Sequence, residues 1–107
     1  MGRFILHFSS GHYTFTFHAA SGDKIATSLP FITKSSAQQA INHTRSNSER
    51  AHLYRKIEEN GQYYFELYSE NEQLLMVSEK YWSEESRDYA IALMKRKGMH
   101  ADYIETI

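Results

Sequence analysis

Shifted by 50 residues, the chain matches itself from end to end without a gap. Gly11-His12-Tyr13-Thr14-Phe15-Thr16-Phe17 falls on Gly61-Gln62-Tyr63-Tyr64-Phe65-Glu66-Leu67, and Ala40-Ile41 falls on Ala90-Ile91. Residues 3–57 and 53–107 form 55 such pairs, nine of them identical, against about three for the ~6% identity of unrelated chains of ordinary composition. Phe17/Leu67, Ile25/Leu75, Phe31/Tyr81, Thr33/Ser83 and Arg45/Lys95 keep the chemistry where identity is lost. A repeat of this period constrains architecture before any other feature does, because one unit cannot bury its apolar face alone and two must share a core. The chain therefore reads as one domain over residues 1–107, with repeat 1 at 3–52 and repeat 2 at 53–107.

Each repeat has the pattern of three short strands, a helix and a closing strand. Residues 4–8 and 13–17 alternate apolar and polar at period two, as half-buried strands do. Ser9-Ser10-Gly11 is a tight hairpin, and its counterpart Asn60-Gly61 is the strongest short hairpin signal, since both turn positions need positive φ. Polar links at 20–23 and 70–73 lead into third strands at 25–27 and 74–77. Thr33 and Ser83 are placed to cap helices, with Glu84 and Glu85 in the favourable first turn. Ala37, Ala40, Ile41 and Thr44 make one inward stripe, and Ala90, Ile91 and Met94 the other. Lys95-Arg96-Lys97 then sits at the negative end of the second helix dipole, before Gly98 stops the helix.

The repeats overlap, so residues 51–57, which close the first, also open the second. One long strand is expected to do both jobs. The predicted fold is α+β, a tandem repeat of β-β-β-α-β units in a single antiparallel sheet, with two helices on one face and exchanged terminal strands. The strand at 103–107 is expected to pair back with the first repeat.

These residues resemble the YegP-like family of small tandem-repeat bacterial proteins. The likeness rests on the Gly-x-Tyr-x-Phe strands, the Thr27-Ser28 and Val77-Ser78 steps, the Thr/Ser-led helices with Ala-Ile, and Arg45-Ser46-Asn47-Ser48. The resemblance implies paired meander, helix and strand units forming one sheet, within a single chain or between two subunits, and it implies no activity. One departure is local: Ser21-Gly22-Asp23 keeps a glycine that Asn71-Glu72-Gln73 lacks, so a looser turn is expected there.

Composition excludes several classes. With no cysteine there is no disulfide framework and no thiolate metal site. The start lacks the pattern of a signal peptide, and no apolar run approaches the roughly 18 residues of a membrane span, so the expectation is a cytoplasmic protein that does not engage a membrane. Net charge is -1, but residues 1–53 carry five Lys/Arg against two acids, and the remainder seven against eleven. The halves thus differ in sign, +3 against -4.

No residue set makes a catalytic or metal signature. His7, His12 and His18 lie near one another on the first hairpin, His7 and His18 on the face opposite Phe15 and Phe17, but without the paired spacing of a zinc site. Ser28 and Ser78 read as structural serines bonded to backbone, not as nucleophiles in a strained elbow. No metal or cofactor is expected, and an enzyme, with no reaction that these residues name, is only the third reading after the two binding roles below. The remaining feature is the open sheet face: if Tyr63, Phe65 and Leu67 face the helices, then Tyr64, Glu66 and Tyr68 face away, with Trp82 at the rim and Arg55 and Lys56 interleaved. The expected function is a binding module that engages a protein partner or itself through that face or a sheet edge. The second reading is weak binding of single-stranded nucleic acid by Tyr64, Tyr68, Trp82, Arg55 and Lys56.

Overall fold

Period-two patterning produces strands where it is strongest. The computed structural model describes residues 2–106. Repeat 1 runs through β1 (Arg3–Ser9), β2 (His12–His18), β3 (Lys24–Ser28) and α1 (Lys34–Asn47), and a single 3-10 turn at Ala51–Leu53 follows. Repeat 2 runs through β4 (Tyr54–Glu59), β5 (Gln62–Tyr68), β6 (Leu74–Ser78) and α2 (Glu84–Lys97), and β7 (Asp102–Glu105) comes last. Ser10 and Gly11 turn the first hairpin at φ 53 and 81, and Asn60 and Gly61 the second at 53 and 77, the left-handed pair that a two-residue hairpin needs. Both helix caps form as read: Thr33 Oγ1 accepts from the Ser36 N–H and Ser83 Oγ from the Ser86 N–H, each at 3.1 Å.

The seven strands form one sheet in the order β4-β5-β6-β3-β2-β1-β7. The repeats meet where β3 pairs antiparallel with β6, and there Thr27 lies opposite Val77. These two are counterparts at the 50-residue offset, so the pseudo-twofold axis runs through that pair. It runs again past the ends of the helices, where a Cβ on Gly98 would lie 2.5 Å from Oγ of its own counterpart, Ser48. Gly98 has ordinary right-handed backbone at φ -61, so close approach is what requires glycine there.

The apolar face of the sheet meets the inward stripes of both helices in one core. Phe4, Leu6, Phe15 and Phe17 from the first repeat and Phe65, Leu67 and Met76 from the second are fully buried with Ala37 and Met94. A register shift at Phe17/His18 in one repeat and at Leu67/Tyr68 in the other adds one residue to each third strand. Consecutive residues Ile25-Ala26 and Leu75-Met76 are consequently all buried.

Four expectations are corrected. The strand expected over 51–57 begins only at Tyr54, because the Leu53 N–H bonds back to the Arg50 carbonyl at 3.1 Å and Leu53 turns into the core. β7 pairs back with the first repeat as expected, on β1, but it does so in parallel, so the sheet is mixed. The turn lacking glycine is not looser: Glu72 takes φ 63 in place of 98 at Gly22, with the same 2.9 Å bond back across the turn. The Gln73 N–H adds a bond to Ser69 Oγ at 3.1 Å. Arg87 joins the inward stripe of α2 at the place of Ala37, buried with its Nε donating to Asp88 at 3.1 Å and its guanidinium over Tyr63. Ile107 lies outside the described residues.

Candidate functional site

Strand parity sorts the five residues singled out from sequence. Tyr64 and Tyr68 of β5 lie on the face away from the helices, where Arg55 stands opposite Glu66 and Ile57 opposite Tyr64. Lys56 stands opposite Phe65 and so points to the helix side, where its Nζ is 3.3 Å from Asp88 of α2. Grouping Lys56 with the open-face tyrosines is therefore corrected, because neighbours on a strand face opposite ways. Trp82 is 79% exposed, in the connection between β6 and the Ser83 cap.

The open face of repeat 2 is already knitted together. The Arg55 guanidinium lies 3.9 Å from the centre of the Tyr68 ring, and the Tyr68 hydroxyl donates to Glu66 at 2.8 Å. That hydrogen bond, with burial and the Glu66 charge, holds the Tyr68 hydroxyl above its ordinary pKa. Lys80 stands over Tyr64 at 5.5 Å. On the same face of repeat 1, His18 and Thr16 stand at the places of Tyr68 and Glu66, and His7 stands at the place of Ile57. The Thr16 hydroxyl lies 2.9 Å from His18 Nε2 and 3.0 Å from His7 Nε2, and His18 Nδ1 reaches the Gly22 carbonyl at 3.2 Å. Desolvation, and then the charges of His18 and Lys24, push the His7 pKa down.

Ser28 and Ser78 do what their sequence position implied. Each hydroxyl accepts from a buried amide across the hairpin, Phe15 and Phe65 respectively, at 2.9 Å, and donates to the next carbonyl in its own chain at 2.8 Å. Among the described residues, no three His, Cys, Asp or Glu side chains are placed to hold a metal ion. A cleft of roughly 850 Å³ lies between the β2–β3 turn and α2 and includes Asp23, Glu79, Tyr81 and Tyr89. Lys24 and Glu79 pair there at 3.8 Å. Within the described residues, the buried Tyr81 hydroxyl has no partner. No helix among those residues is long and apolar enough to cross a membrane.

The two sheet edges differ, although the repeats are related by symmetry. Odd-numbered amides of β2 and β5 bond toward the third strands, as at Tyr13, Phe15, Tyr63 and Phe65. Their even-numbered neighbours must then bond β1 and β4, which leaves the even-numbered groups of β1 and β4 facing outward. On β1 those outward groups are taken: the Asp102 N–H bonds the Gly2 carbonyl at 3.2 Å and the Thr106 N–H bonds Leu6 at 3.0 Å. Side chains fasten the cover, with Lys34 on Glu105 at 2.7 Å, Gln38 on the Tyr103 hydroxyl at 3.2 Å and Arg45 on the Ala101 carbonyl at 2.6 Å. On β4 the equivalent outward groups belong to Tyr54, whose N–H bonds the Ala51 carbonyl, and to Lys56 and Glu58, and no described strand pairs with them. The small cleft under Tyr103, lined by Gln38, Ile41 and Arg45, has its counterpart beside β4, lined by Asp88, Ile91 and Lys95 with no described strand above it.

Sequence reasoning missed Asp88, Lys95 and Glu58 as members of an edge site. The signal was present in the overlap of the repeats, which supplies one strand where symmetry has places for two. It also shows in the exchange of Leu6 for Lys56 and Phe8 for Glu58 between counterparts.

Known proteins share this fold. The chain is 35% identical over 91 residues to UPF0339 protein YegP of Escherichia coli K12, covering 84% of this chain and 83% of that one. The solution NMR structure of E. coli yegP, a protein of unknown function, superposes with a TM-score of 0.91 at 34% identity, covering 98% of this chain and 92% of that one. The solution NMR structure of UPF0339 protein SO3888 from Shewanella oneidensis also gives 0.91, at 29% identity, covering 97% and 90%. The family described as Domain of unknown function (DUF1508) matches twice, at residues 9–54 and 58–105. With both repeats matched and the fold shared, the chain belongs to the DUF1508 family.

Proposed function

We propose that this protein is a non-enzymatic interaction module that takes a protein partner by strand addition along the outer edge of β4. One observation carries the reading: β7 fills the outward main-chain groups of β1, while the symmetry-related groups of β4 have no strand beside them among the described residues. An extended segment laid there gains main-chain hydrogen bonds for affinity, and alternate side chains reach the α2 cleft or the open face for specificity. Arg55, Tyr64 and Tyr68 flank the edge on the open face, and Lys56 flanks it on the helix side.

Nucleic-acid binding is the weaker reading. A stacked base needs a free ring face, and that of Tyr68 lies under Arg55. Glu58, Glu59, Glu66 and Glu72 surround the same strands and disfavour a phosphate backbone.

The test is a pull-down from native lysate at low and high salt, comparing tagged wild type with Glu58→Pro. Proline at 58 removes an outward N–H and spares the ladder to β5. A salt-resistant protein captured by wild type and lost in Glu58→Pro, with unchanged thermal melting, supports the module. Partners indifferent to that substitution sink it, as does nucleic acid that leaves at moderate salt and is lost in Tyr64→Ala.

A further inference from the structure

We infer that the strand completing this edge comes from a second copy of the chain, with β4 paired antiparallel to β4 of the second copy about a twofold axis at Ile57. The inference rests on the edge reading above and names its occupant. The outer strand reads Arg55-Lys56-Ile57-Glu58-Glu59, two cations and two anions placed symmetrically about one isoleucine. Turned on itself about Ile57, it sets Arg55 against Glu59 and Lys56 against Glu58, twice over.

Main-chain geometry selects the same register. The outward N–H and C=O groups belong to even-numbered residues, so a hydrogen-bonded antiparallel pairing must match even with even. About Ile57, Lys56 meets Glu58 of the other copy, and each such pair exchanges N–H and C=O. Ile57 then meets Ile57 in the close, non-hydrogen-bonded position where side chains approach most nearly. Sliding by one step in phase puts Lys56 against Lys56 in one direction and Glu58 against Glu58 in the other, and like charges directly opposite are destabilising. Sliding out of phase loses the hydrogen bonds and sends side chains to opposite faces.

A foreign strand resembling β7 fits less well. Lys34, Gln38 and Arg45, which hold β7 on repeat 1, are replaced in repeat 2 by Glu84, Asp88 and Lys95. Glu84 would face a carboxylate at the place of Glu105. The charges of β4 have partners within the chain, Glu72 for Arg55 at 3.7 Å, Asp88 for Lys56 at 3.3 Å and Lys80 for Glu59 at 3.9 Å. The β4 members of these pairs are about half exposed and Glu72 is largely exposed, and such pairs are worth too little to compete with a strand joint. Charges scattered along an edge keep other strands away, whereas charges ordered by sign about a centre admit one partner, the same strand reversed.

The experiment is sedimentation of the purified protein over a concentration series at low salt, for wild type, Arg55→Glu/Lys56→Glu and Glu58→Lys/Glu59→Lys. Wild type is expected to rise two-fold in weight-average mass, and each charge-reversed variant to stay at one chain while keeping wild-type circular dichroism. Mixed in equal amounts, the two variants are expected to regain the two-fold rise, because every opposed pair in the mixed joint is again unlike. Restoration by mixing also answers the objection that either variant is merely misfolded. Wild type remaining at one chain throughout overturns the inference, as does a dimer that survives both variants or a mixture that stays monomeric. A monomeric wild type whose lysate partner is still lost in Glu58→Pro overturns only the second copy as occupant; loss of that sensitivity as well overturns the edge reading too.

Discussion

At the scale of single residues, identity between the repeats marks a shared physical task. Ser28 and Ser78 each satisfy a buried amide that has no strand partner, so removing the hydroxyl strands that amide in the core. Ser78→Ala is expected to lower unfolding free energy by about 1–3 kcal/mol, read from urea midpoints at constant m-value. Ser28→Ala should match it. The histidines give a signature in pH. The fold lowers the His7 pKa below its usual 6.5, chiefly by desolvation, and so favours the neutral ring. Between 6.5 and the lowered folded value, the unfolded chain binds a proton that the folded chain refuses, so stability present above 6.5 is lost as pH falls through that window. His7→Gln is expected to flatten the decline between pH 7 and pH 5 in urea titrations. Glu70, whose pKa is lowered chiefly by its hydrogen bond from Arg50, acts only in the more acid range below 4.5. The backbone role of the serines was legible from their repetition at strand ends. The His7–Thr16–His18 contacts were not, because facing parity alone does not say which rings a hydroxyl will bridge.

Elements were most legible where local chemistry decides them. The hairpins, the caps and the helix stripes follow from glycine, hydroxyl and apolar spacing, and the structure has them where the pattern put them. Elements were least legible where the long-range path decides: the late start of β4, the parallel run of β7 and the inward turn of Arg87 depend on what lies across the core. Gly98 belongs to both kinds, ending a helix as glycines do but required by Ser48 on the other repeat. Gly98→Ala is expected to cost about 1–3 kcal/mol through overpacking, and Ser48→Gly/Gly98→Ala to recover part of that loss, because the clash involves the Ser48 side chain. Thermal melts of the two variants check this directly. For the candidate site, Arg55, Tyr64 and Tyr68 could be assigned one face from parity, but Lys56 was misplaced by treating neighbours along a strand as neighbours in space.

At the scale of the whole molecule, neither repeat owns its core. β3 and β6 pair across the pseudo-axis, and α1 packs against β6 as well as against β2. The sheet is therefore expected to open as one unit, with amides of β3 and of β6 exchanging hydrogen at the same limiting free energy. A difference of several kcal/mol between the two strands in native-state exchange would show two units instead. Among the described residues the sheet has seven strands. Two separate single-repeat chains exchanging their ends would bring eight, each with a strand to open and a strand to close. Joining the two at a shared segment removes one strand from the set and leaves one vacancy. Continuity of the chain is thus what makes the two ends of a symmetric pair unequal: one edge is sealed by β7, and the other has no strand beside it among the described residues.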